Sequence, residues 1–400
     1  MDLINSSKYN FDEIIDRKNT DSIKWGFLEE HFGDADIIPL PVADMDFRVA
    51  PEIIQALQER TNHGIFGYSG LKKPYYLAVA NWFYQRHNWT IEKDWILTSP
   101  GVVPAFIIFQ HLFSNPGDKI IVQTPVYYPF LMSPNFGRKL AINELKIQDG
   151  NYRFDFEDLE QIVKDPDVKL AILSNPHNPV GRVWAKDELK HFGELCLAND
   201  IMVFADEIHC DLLSKDVKYT PFASISDEFA QKSITGSSAS KTFNIAGLHL
   251  SNIIIPNEKL RLRYKNGMLK LSGYFGPNIF GAVATQAAYE HGKPWLDAML
   301  NYVYDNYLYL KKILETELPG VTVFPLEGTY LVWADFRIFN KNPNELKDIM
   351  LKEAKVALDE GYIFGQGGEG FERFNIACPR ATLQEALNRI IKVFKPYLPE

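Results

Sequence analysis

Two residues in the middle of the chain could carry covalent chemistry on a bound group. Lys241 ends the segment Ser237-Ser238-Ala239-Ser240-Lys241, and Asp206 opens Asp206-Glu207-Ile208-His209 thirty-five positions upstream. A lysine amine bonds covalently to an aldehyde, and a carboxylate stabilises a protonated ring nitrogen. Pyridoxal phosphate carries both an aldehyde and a pyridine nitrogen. The pair therefore predicts a site for this cofactor.

The residues before Asp206 favour a functional role for it. The segment Ile201-Met202-Val203-Phe204-Ala205 is a continuous apolar run, which is typical of a strand covered on both faces of a parallel sheet. Asp206 then lies at the carboxyl end of that strand. Ligands of open α/β sheets bind in the crevice outside these ends. An acid at this point is therefore more often functional than structural.

The rest of the chain repeats the alternation of strand and helix. The predicted strands are Trp95 to Thr98, Ile120 to Gln123, Leu170 to Leu173, Ile201 to Ala205, and Ile253 to Ile255. An apolar stretch from Pro104 to Phe113 predicts a helix, and 295–314 predicts a long helix that leaves the sheet domain. Strands alternating with helices indicate an α/β fold with a mostly parallel sheet. A smaller α/β domain is expected after the long helix.

Seven motifs, taken in order, extend the argument to nearly the whole chain. They are Gly67-Tyr68-Ser69, Ser99-Pro100-Gly101-Val102-Val103, Thr124-Pro125-Val126-Tyr127, Asn175-Pro176-His177-Asn178-Pro179-Val180-Gly181, Asp206-Glu207-Ile208-His209, Ser238-Ala239-Ser240-Lys241 and Asn375-Ile376-Ala377-Cys378-Pro379-Arg380. Because of these motifs, the chain resembles the fold-type I pyridoxal phosphate enzymes of the aminotransferase class I/II superfamily. Ala43-Asp44-Met45-Asp46-Phe47, His209 and the Gly368-Glu369-Gly370-Phe371 approach to Arg380 most resemble the cystathionine β-lyase branch, of the maltose-regulon-modulator type.

The resemblance implies a domain division and an assembly. A large cofactor-binding domain would cover residues 51–288, and a discontinuous small domain would combine 1–50 with 289–400. Tyr68 would reach the cofactor phosphate of a neighbouring subunit. The expected assembly is thus a homodimer with shared active sites.

The resemblance also assigns residues to the cofactor phosphate. The turn Gly101-Val102-Val103 leads into the predicted helix, whose first amides can bind an anion. The hydroxyls of Ser238 and Ser240 would add hydrogen bonds. Many relatives have an arginine eight positions after the lysine, whereas this chain has His249 there. Either another cation compensates, or the helix and hydroxyls suffice.

Three further residues would surround the cofactor ring, and one would bind the substrate. By resemblance, Tyr127 stacks on the pyridine face, Asn178 donates its amide to the ring oxygen, and His209 reaches that oxygen or a neighbouring group. Arg380 would bind the α-carboxylate of an amino acid, because a guanidinium matches a carboxylate with two parallel hydrogen bonds.

These assignments leave the reaction open. After Lys241 takes the α-proton, loss of a β-thiolate gives pyruvate and ammonia, whereas reprotonation on the cofactor gives transamination. The resemblance favours a carbon–sulfur β-lyase acting on cystathionine or cysteine S-conjugates, with an aminotransferase as the alternative. A regulator that keeps the fold and binds a partner protein is a third possibility, and the joint presence of Lys241, Asp206 and Arg380 argues against it.

Composition excludes some other classes of protein. The formal net charge of −9 argues against a nucleic-acid or membrane partner, and no run of about eighteen apolar residues occurs. The start of the chain lacks the pattern of a signal peptide, so a cytoplasmic location is expected. Three scattered cysteines favour neither disulfides nor a metal site.

One glycine-rich segment fits a dinucleotide fingerprint, namely Gly365-Gln366-Gly367-Gly368-Glu369-Gly370. Too little chain follows this segment for a βαβ unit, so a flexible loop is expected there.

Overall fold

The structure is a computed structural model that describes residues 8–273 and 276–398. The expectation of a cytoplasmic location was based on the first seven residues, which lie outside the described part. The strands are β1 (Ile38–Pro39), β2 (Ile96–Ser99), β3 (Lys119–Thr124), β4 (Lys139–Glu144), β5 (Lys146–Gln148), β6 (Asn151–Arg153), β7 (Val168–Ser174), β8 (Met202–Asp206), β9 (Ser233–Ser237), β10 (Ser251–Ile254), β11 (Thr322–Val323), β12 (Leu331–Asp335), β13 (Val356–Ala357), β14 (Asp359–Glu360) and β15 (Phe371–Asn375).

Helices connect most of these strands. The α-helices of the described residues are α1 (Leu28–Phe32), α2 (Pro51–Asn62), α3 (Lys73–His87), α4 (Val102–Phe113), α5 (Phe156–Ile162), α6 (Lys186–Ala198), α7 (Asp227–Gln231), α8 (Ala239–Thr242), α9 (Glu258–Ser272), α10 (Ile279–His291), α11 (Lys293–Glu317), α12 (Pro343–Asp348) and α13 (Arg380–Phe394). None of the helices in this described part is long and apolar enough to cross a membrane.

The main sheet has seven strands in the order β2-β10-β9-β8-β7-β3-β4. Strand β10 runs antiparallel to both of its neighbours, and the other pairs are parallel. The prediction of a mostly parallel sheet is thus confirmed. All five predicted strands occur, as β2, β3, β7, β8 and β10, and the two predicted helices correspond to α4 and α11.

Alternation along the central strands explains their continuous apolar runs. Ile120 and Val122 pack in the same cluster as Phe109 of α4, whereas Ile121 packs in a different cluster with Phe192 of α6. Successive side chains of a strand point to opposite faces, so a sheet covered on both faces needs apolar residues at every position. The helices on the two faces leave the carboxyl ends of β3, β7 and β8 as the polar edge of the sheet.

A second sheet of four antiparallel strands lies in the C-terminal part, in the order β11-β12-β15-β14. The N-terminal segment joins this part through β1, which pairs in parallel with β13. These pairings follow the pattern expected for a discontinuous small domain. The division into 51–288 and 1–50 with 289–400 stays a prediction.

The glycine-rich segment 365–370 precedes a strand and not a helix. It enters β15 directly, so it does not open a βαβ unit and is no dinucleotide fingerprint. Gly365, Gly367 and Gly370 have φ angles of 89°, 82° and 80°, a left-handed conformation that glycine adopts without steric cost. The turn continues from Phe364, whose carbonyl accepts a hydrogen bond from the amide of Val126 at 2.9 Å.

Candidate active site

Asp206 is the last residue of β8, where the sheet register places it beside Ser174 of β7 and Gly236 of β9. Its side chain is buried, and Oδ1 accepts a hydrogen bond from the amide of Ile208 at 3.1 Å. Burial raises the pKa of Asp206 to about 7, while the Ile208 amide and Lys241 oppose the rise. A cation beside the carboxyl group is therefore needed to keep it fully ionised at neutral pH. A protonated pyridine nitrogen is such a cation.

Lys241 lies on the short helix α8. Ser238 caps the start of this helix, and its hydroxyl oxygen accepts a hydrogen bond from the Ser240 amide at 3.1 Å. The Lys241 Nζ atom donates to the carbonyl oxygen of Ala43 at 2.7 Å, and the hydroxyl of Tyr330 donates to the same oxygen at 2.9 Å. Burial lowers the pKa of Lys241 to about 8. Its amine is thus neutral, and so nucleophilic, in a larger fraction of molecules at neutral pH than an exposed lysine.

A cavity of about 470 Å³ connects these two residues. Besides Asp206 and Lys241, eight residues predicted to bind the cofactor or to stand at its phosphate position line it: Gly101, Val102, Val103, Tyr127, Asn178, His209, Ser240 and His249. The cavity thus brings together ten residues that lie far apart in the sequence. A neighbouring cavity of about 940 Å³ contains Asp44 and Ala246 but none of the predicted cofactor or substrate residues.

One end of the cavity is suited to an anion. Helix α4 begins after Gly101, and no side chain of the described residues caps its first amides. A Cβ atom at Gly101 would lie 3.2 Å from the Pro104 side chain, so a larger residue would crowd the helix start. Free amides and the helix dipole attract a phosphate group. Ser240 and His249 line the same cavity.

Other residues of the cavity lining are suited to a ring. The Tyr127 amide donates to the carbonyl oxygen of Asn178 at 3.0 Å, which fixes the two segments to each other. Burial raises the pKa of Tyr127, so its hydroxyl stays protonated. Burial also lowers the pKa of His209 to about 3, so the imidazole is neutral. The His209 Nδ1 atom is buried without a hydrogen-bond partner in the described structure, which leaves it free for a bound group.

The structure does not bring Arg380 to this cavity. Arg380 is the first residue of α13, and its Nε atom donates to the Asn306 side chain at 2.6 Å. Its guanidinium lies 4.6 Å from the ring centroid of Tyr309. The expectation that Arg380 reaches the site is corrected by these contacts, because the start of α13 points the side chain toward α11.

A different arginine lines the cavity. Arg373 lies in β15 and is 3% exposed; its Nη1 atom donates to the side-chain oxygen of Asn178 at 2.8 Å. Its Nη2 atom donates to the carbonyl oxygen of Pro41 at 2.9 Å and to Asp359. Sequence reasoning missed Arg373 and Asp359. The available signal was a charged residue inside the strand pattern Phe371-Glu372-Arg373-Phe374-Asn375.

Two other predicted residues also lie outside the cavity lining. The Ser238 hydroxyl donates to the carbonyl oxygen of Leu250 at 2.7 Å, so it holds the start of α8. The Tyr68 side chain is fully exposed and does not contact its own chain's site.

A buried polar cluster behind α8 was also missed by sequence reasoning. Potential metal-ligand atoms of His87, Cys210 and Asp211 lie within 4.8 Å of one another. Asp211 accepts from His87 Nε2 at 2.8 Å and from the Thr242 hydroxyl at 3.0 Å, and Arg86 lies 3.3 Å away. Both carboxylate oxygens are thus already in use, and the cluster holds Thr242, next to Lys241, in place.

Comparison with known proteins decides the family. The model of the family described as aminotransferase class I and II matches residues 35–390. The chain belongs to this family. Its fold is accordingly that of the fold-type I pyridoxal phosphate enzymes, and pyridoxal phosphate is the cofactor.

Similar proteins cover nearly the whole chain. Cystathionine beta-lyase PatB of Bacillus subtilis is 46% identical over 382 residues, which are 95% of this chain and 98% of that protein. The structure of cystalysin from Treponema denticola, with pyridoxal 5′-phosphate, has a TM-score of 0.94 and 40% identity, and the match covers 97% of this chain and 99% of that one. A pyridoxal phosphate-bound putative aminotransferase from Clostridium difficile has a TM-score of 0.93 and 44% identity over 96% and 99% of the two chains.

The residues of the cavity fit this family cofactor. Lys241 can bond its aldehyde and Asp206 can pair with its ring nitrogen, and the uncapped start of α4 can bind its phosphate. His209, whose Nδ1 atom has no partner in the described structure, and Asn178 also line the cavity and could bond to the ring oxygen of the cofactor.

Proposed function

We propose that the protein is a carbon–sulfur β-lyase that acts on cystathionine and related cysteine S-conjugates. The observation that carries the proposal is the convergence of Lys241, Asp206 and Arg373 on one cavity. A base for the α-proton, an anion for the ring and a cation for the α-carboxylate are what an amino acid needs at such a site. The similarity to a cystathionine β-lyase over nearly the full length of both chains supports the reaction type.

Arg373 is the proposed carboxylate-binding residue. Its guanidinium faces the cavity and is fixed by Asn178, Pro41 and the ring of Phe364, whose centroid lies 4.9 Å from Cζ. A planar guanidinium held in this way orients a carboxylate and hence the bonds at the α-carbon. This role replaces the one expected for Arg380.

Lys241 is the proposed acid–base catalyst. When bound, pyridoxal phosphate supplies a ring that accepts the electrons released at the substrate α-carbon. The Nζ atom of Lys241 would take the α-proton of the substrate, and the Asp206 carboxylate would stabilise a proton on the ring nitrogen of the cofactor. Tyr127, which lines the cavity, would pack against that ring. The Cβ–S bond then breaks with loss of a thiolate, and hydrolysis of the remaining fragment gives pyruvate and ammonia.

The experiment that tests this proposal follows the products from cystathionine. Purified protein with added pyridoxal phosphate should release thiol and pyruvate in equal amounts, together with ammonia. Formation of a new amino acid from an added 2-oxo acid, without thiol, would instead identify an aminotransferase. The observation behind that alternative is the 44% identity to a structure described as a putative aminotransferase.

We also infer that the protein works as a homodimer, because the fully exposed Tyr68 lies outside its own site and could reach a partner's cofactor phosphate. An amino acid is the proposed substrate class, and neither a nucleic acid nor a membrane is proposed as a partner, since the net charge is −9. A cytoplasmic location stays the prediction from the sequence.

A further inference from the structure

A carboxylate of the protein itself already occupies the arginine that faces the cavity. Strands β14 and β15 are antiparallel, and their register places Asp359 directly opposite Arg373. The two side chains form an ion pair, and both line the cavity. Side chains directly opposite each other on neighbouring strands share one face of the sheet. Because the backbone pairing sets this contact, Asp359 stays beside Arg373 unless its side chain rotates.

Three of the hydrogen-bond donors of Arg373 are engaged within the protein. A guanidinium has five N–H donors, two on each terminal nitrogen and one on Nε. Both donors of Nη2 are engaged, by Pro41 and Asp359, and one donor of Nη1 is engaged by Asn178. The Nε atom is buried and has no partner in the described structure. One Nη1 donor is left for a ligand in the cavity.

A bound carboxylate needs more than this single donor. Carboxylates bind arginine most strongly through two parallel hydrogen bonds, given either by Nη1 and Nη2 or by Nε and Nη2, so both arrangements need an Nη2 donor. Both Nη2 donors are already engaged, one by the Pro41 carbonyl and one by Asp359. An incoming carboxylate therefore competes with Asp359 for the Nη2 atom and also meets its negative charge.

We propose that Asp359 is a specificity-determining residue, an internal carboxylate that competes with the substrate α-carboxylate for Arg373. It thereby sets how strongly the site prefers amino acids to amines that lack a carboxylate. The inference rests on the proposed role of Arg373. Asp359 lowers the affinity of Arg373 for the α-carboxylate below that of an unpaired arginine. The same reduction applies to products that carry a carboxylate.

The experiment compares L-alanine with ethylamine, which is the same molecule without the carboxylate. Neither has a leaving group on the β-carbon. Their dissociation constants are measured on the cofactor-loaded protein, by the change in its visible absorption and by calorimetry. Asp359→Asn removes the charge and keeps the size and a hydrogen-bond acceptor, and Asp359→Ser is a second neutral variant in case the first does not fold.

A matched control is available in the same strand. Glu360→Gln removes the same charge from the next residue, which pairs with Lys347 at 3.4 Å and does not line the cavity. Arg373→Gln serves as the second reference, since it removes the proposed carboxylate-binding group.

The proposal expects the alanine affinity of Asp359→Asn to rise about tenfold relative to its ethylamine affinity. In Glu360→Gln this ratio should stay as in the wild type. If the ratio is unchanged or falls in both neutral Asp359 variants, while Arg373→Gln loses alanine affinity, the inference about Asp359 is wrong and the proposed function stands. If Arg373→Gln binds alanine as well as the wild type does, the role of Arg373 fails and the inference fails with it.

Discussion

Lys241 and Asp206 reach the cavity from different elements, and burial moves their pKa values toward each other. The pKa of Lys241 falls to about 8 and that of Asp206 rises to about 7. Both changes arise from desolvation, which disfavours the charged form of each group. Groups that titrate near neutral pH exchange protons readily at that pH. The lowered pKa of Lys241 therefore suits its proposed acid–base role.

The covalent role of Lys241 gives the first prediction. Borohydride should fix the bound cofactor to a peptide that contains Lys241, because the bond between an amine and an aldehyde is reducible. Lys241→Ala should lose this labelling and at least about a hundredfold in turnover, since positioned proton transfer contributes 10²–10⁴. Lys232→Ala, at an exposed lysine paired with Asp200, is the control and should behave as the wild type. Full activity of Lys241→Ala would refute the assignment.

The two arginines give the second prediction. Arg373→Ala should raise KM for cystathionine about thirtyfold or more and also lower kcat, because the carboxylate clamp both binds and aligns the substrate. Arg380→Ala should change KM by less than about threefold, since its side chain contacts Asn306 outside the cavity. Steady-state kinetics of the two variants, with thermal melting as a check on folding, make the comparison. The reverse ranking would restore Arg380 as the substrate residue.

A site residue can be predicted from the sequence when the residues next to it in the chain determine its position. The motifs around Lys241 and Asp206 were informative because both residues sit at the end of an element that is readable from its own residues. Arg373 was missed because its position beside the cavity depends on how β15 pairs with β14. That pairing joins segments across a loop, and no periodicity inside one segment specifies it. Ser238 was assigned to the phosphate because the cap of α8 cannot be distinguished from a ligand contact in sequence.

At the scale of elements, the burial of Asp206 at the carboxyl end of β8 lowers the stability of the fold. Neighbouring strands β7 and β9 enclose it, and no arginine or lysine forms an ion pair with it among the described residues. Folding thus places an acidic group where its charged form is disfavoured. The strands themselves were predictable, because a doubly covered strand needs apolar residues at every position. In the C-terminal sheet, β11 and β14 were not predictable, since strands of two residues carry no readable alternation.

The third prediction concerns this burial in the cofactor-free protein. The folded-state pKa of Asp206, about 7, lies above its ordinary value of 3.8, so the folded form binds more protons between these values. The resulting stability is present below pH 3.8 and is lost as pH rises through 7. Asp206→Asn does not titrate, so its free energy of unfolding relative to the wild type should rise by up to about 4 kcal/mol between pH 4 and pH 8.

Urea unfolding at both pH values measures this difference. Glu194→Gln, at an exposed carboxylate on α6, is the control and should show no comparable change. If the free energy of unfolding of Asp206→Asn differs from that of the wild type by the same amount at both pH values, folding does not raise the pKa of Asp206, and the prediction is wrong.

At the scale of the whole molecule, the shared active site gives the fourth prediction. Lys241→Ala lacks the base and Tyr68→Ala lacks the contact proposed to reach the partner's phosphate. Each variant alone should have low activity, but mixed dimers would contain one site with both native residues. Activity should therefore return after mixing and subunit exchange. Tyr84→Ala, at another exposed tyrosine, is the control for Tyr68→Ala and should stay active by itself. If mixing restores nothing, Tyr68 does not act across the interface.

The central claim is that the protein eliminates a thiol and does not transfer an amino group. Elimination returns the cofactor to its aldehyde form after each cycle, whereas half of a transamination leaves it in the amine form. The most direct measurement is therefore the number of turnovers with cystathionine in the absence of any 2-oxo acid. The account predicts many turnovers, pyruvate equal to released thiol, and an unchanged visible absorption of the aldehyde form. A single turnover that stops in the amine form and resumes only when a 2-oxo acid is added would contradict it.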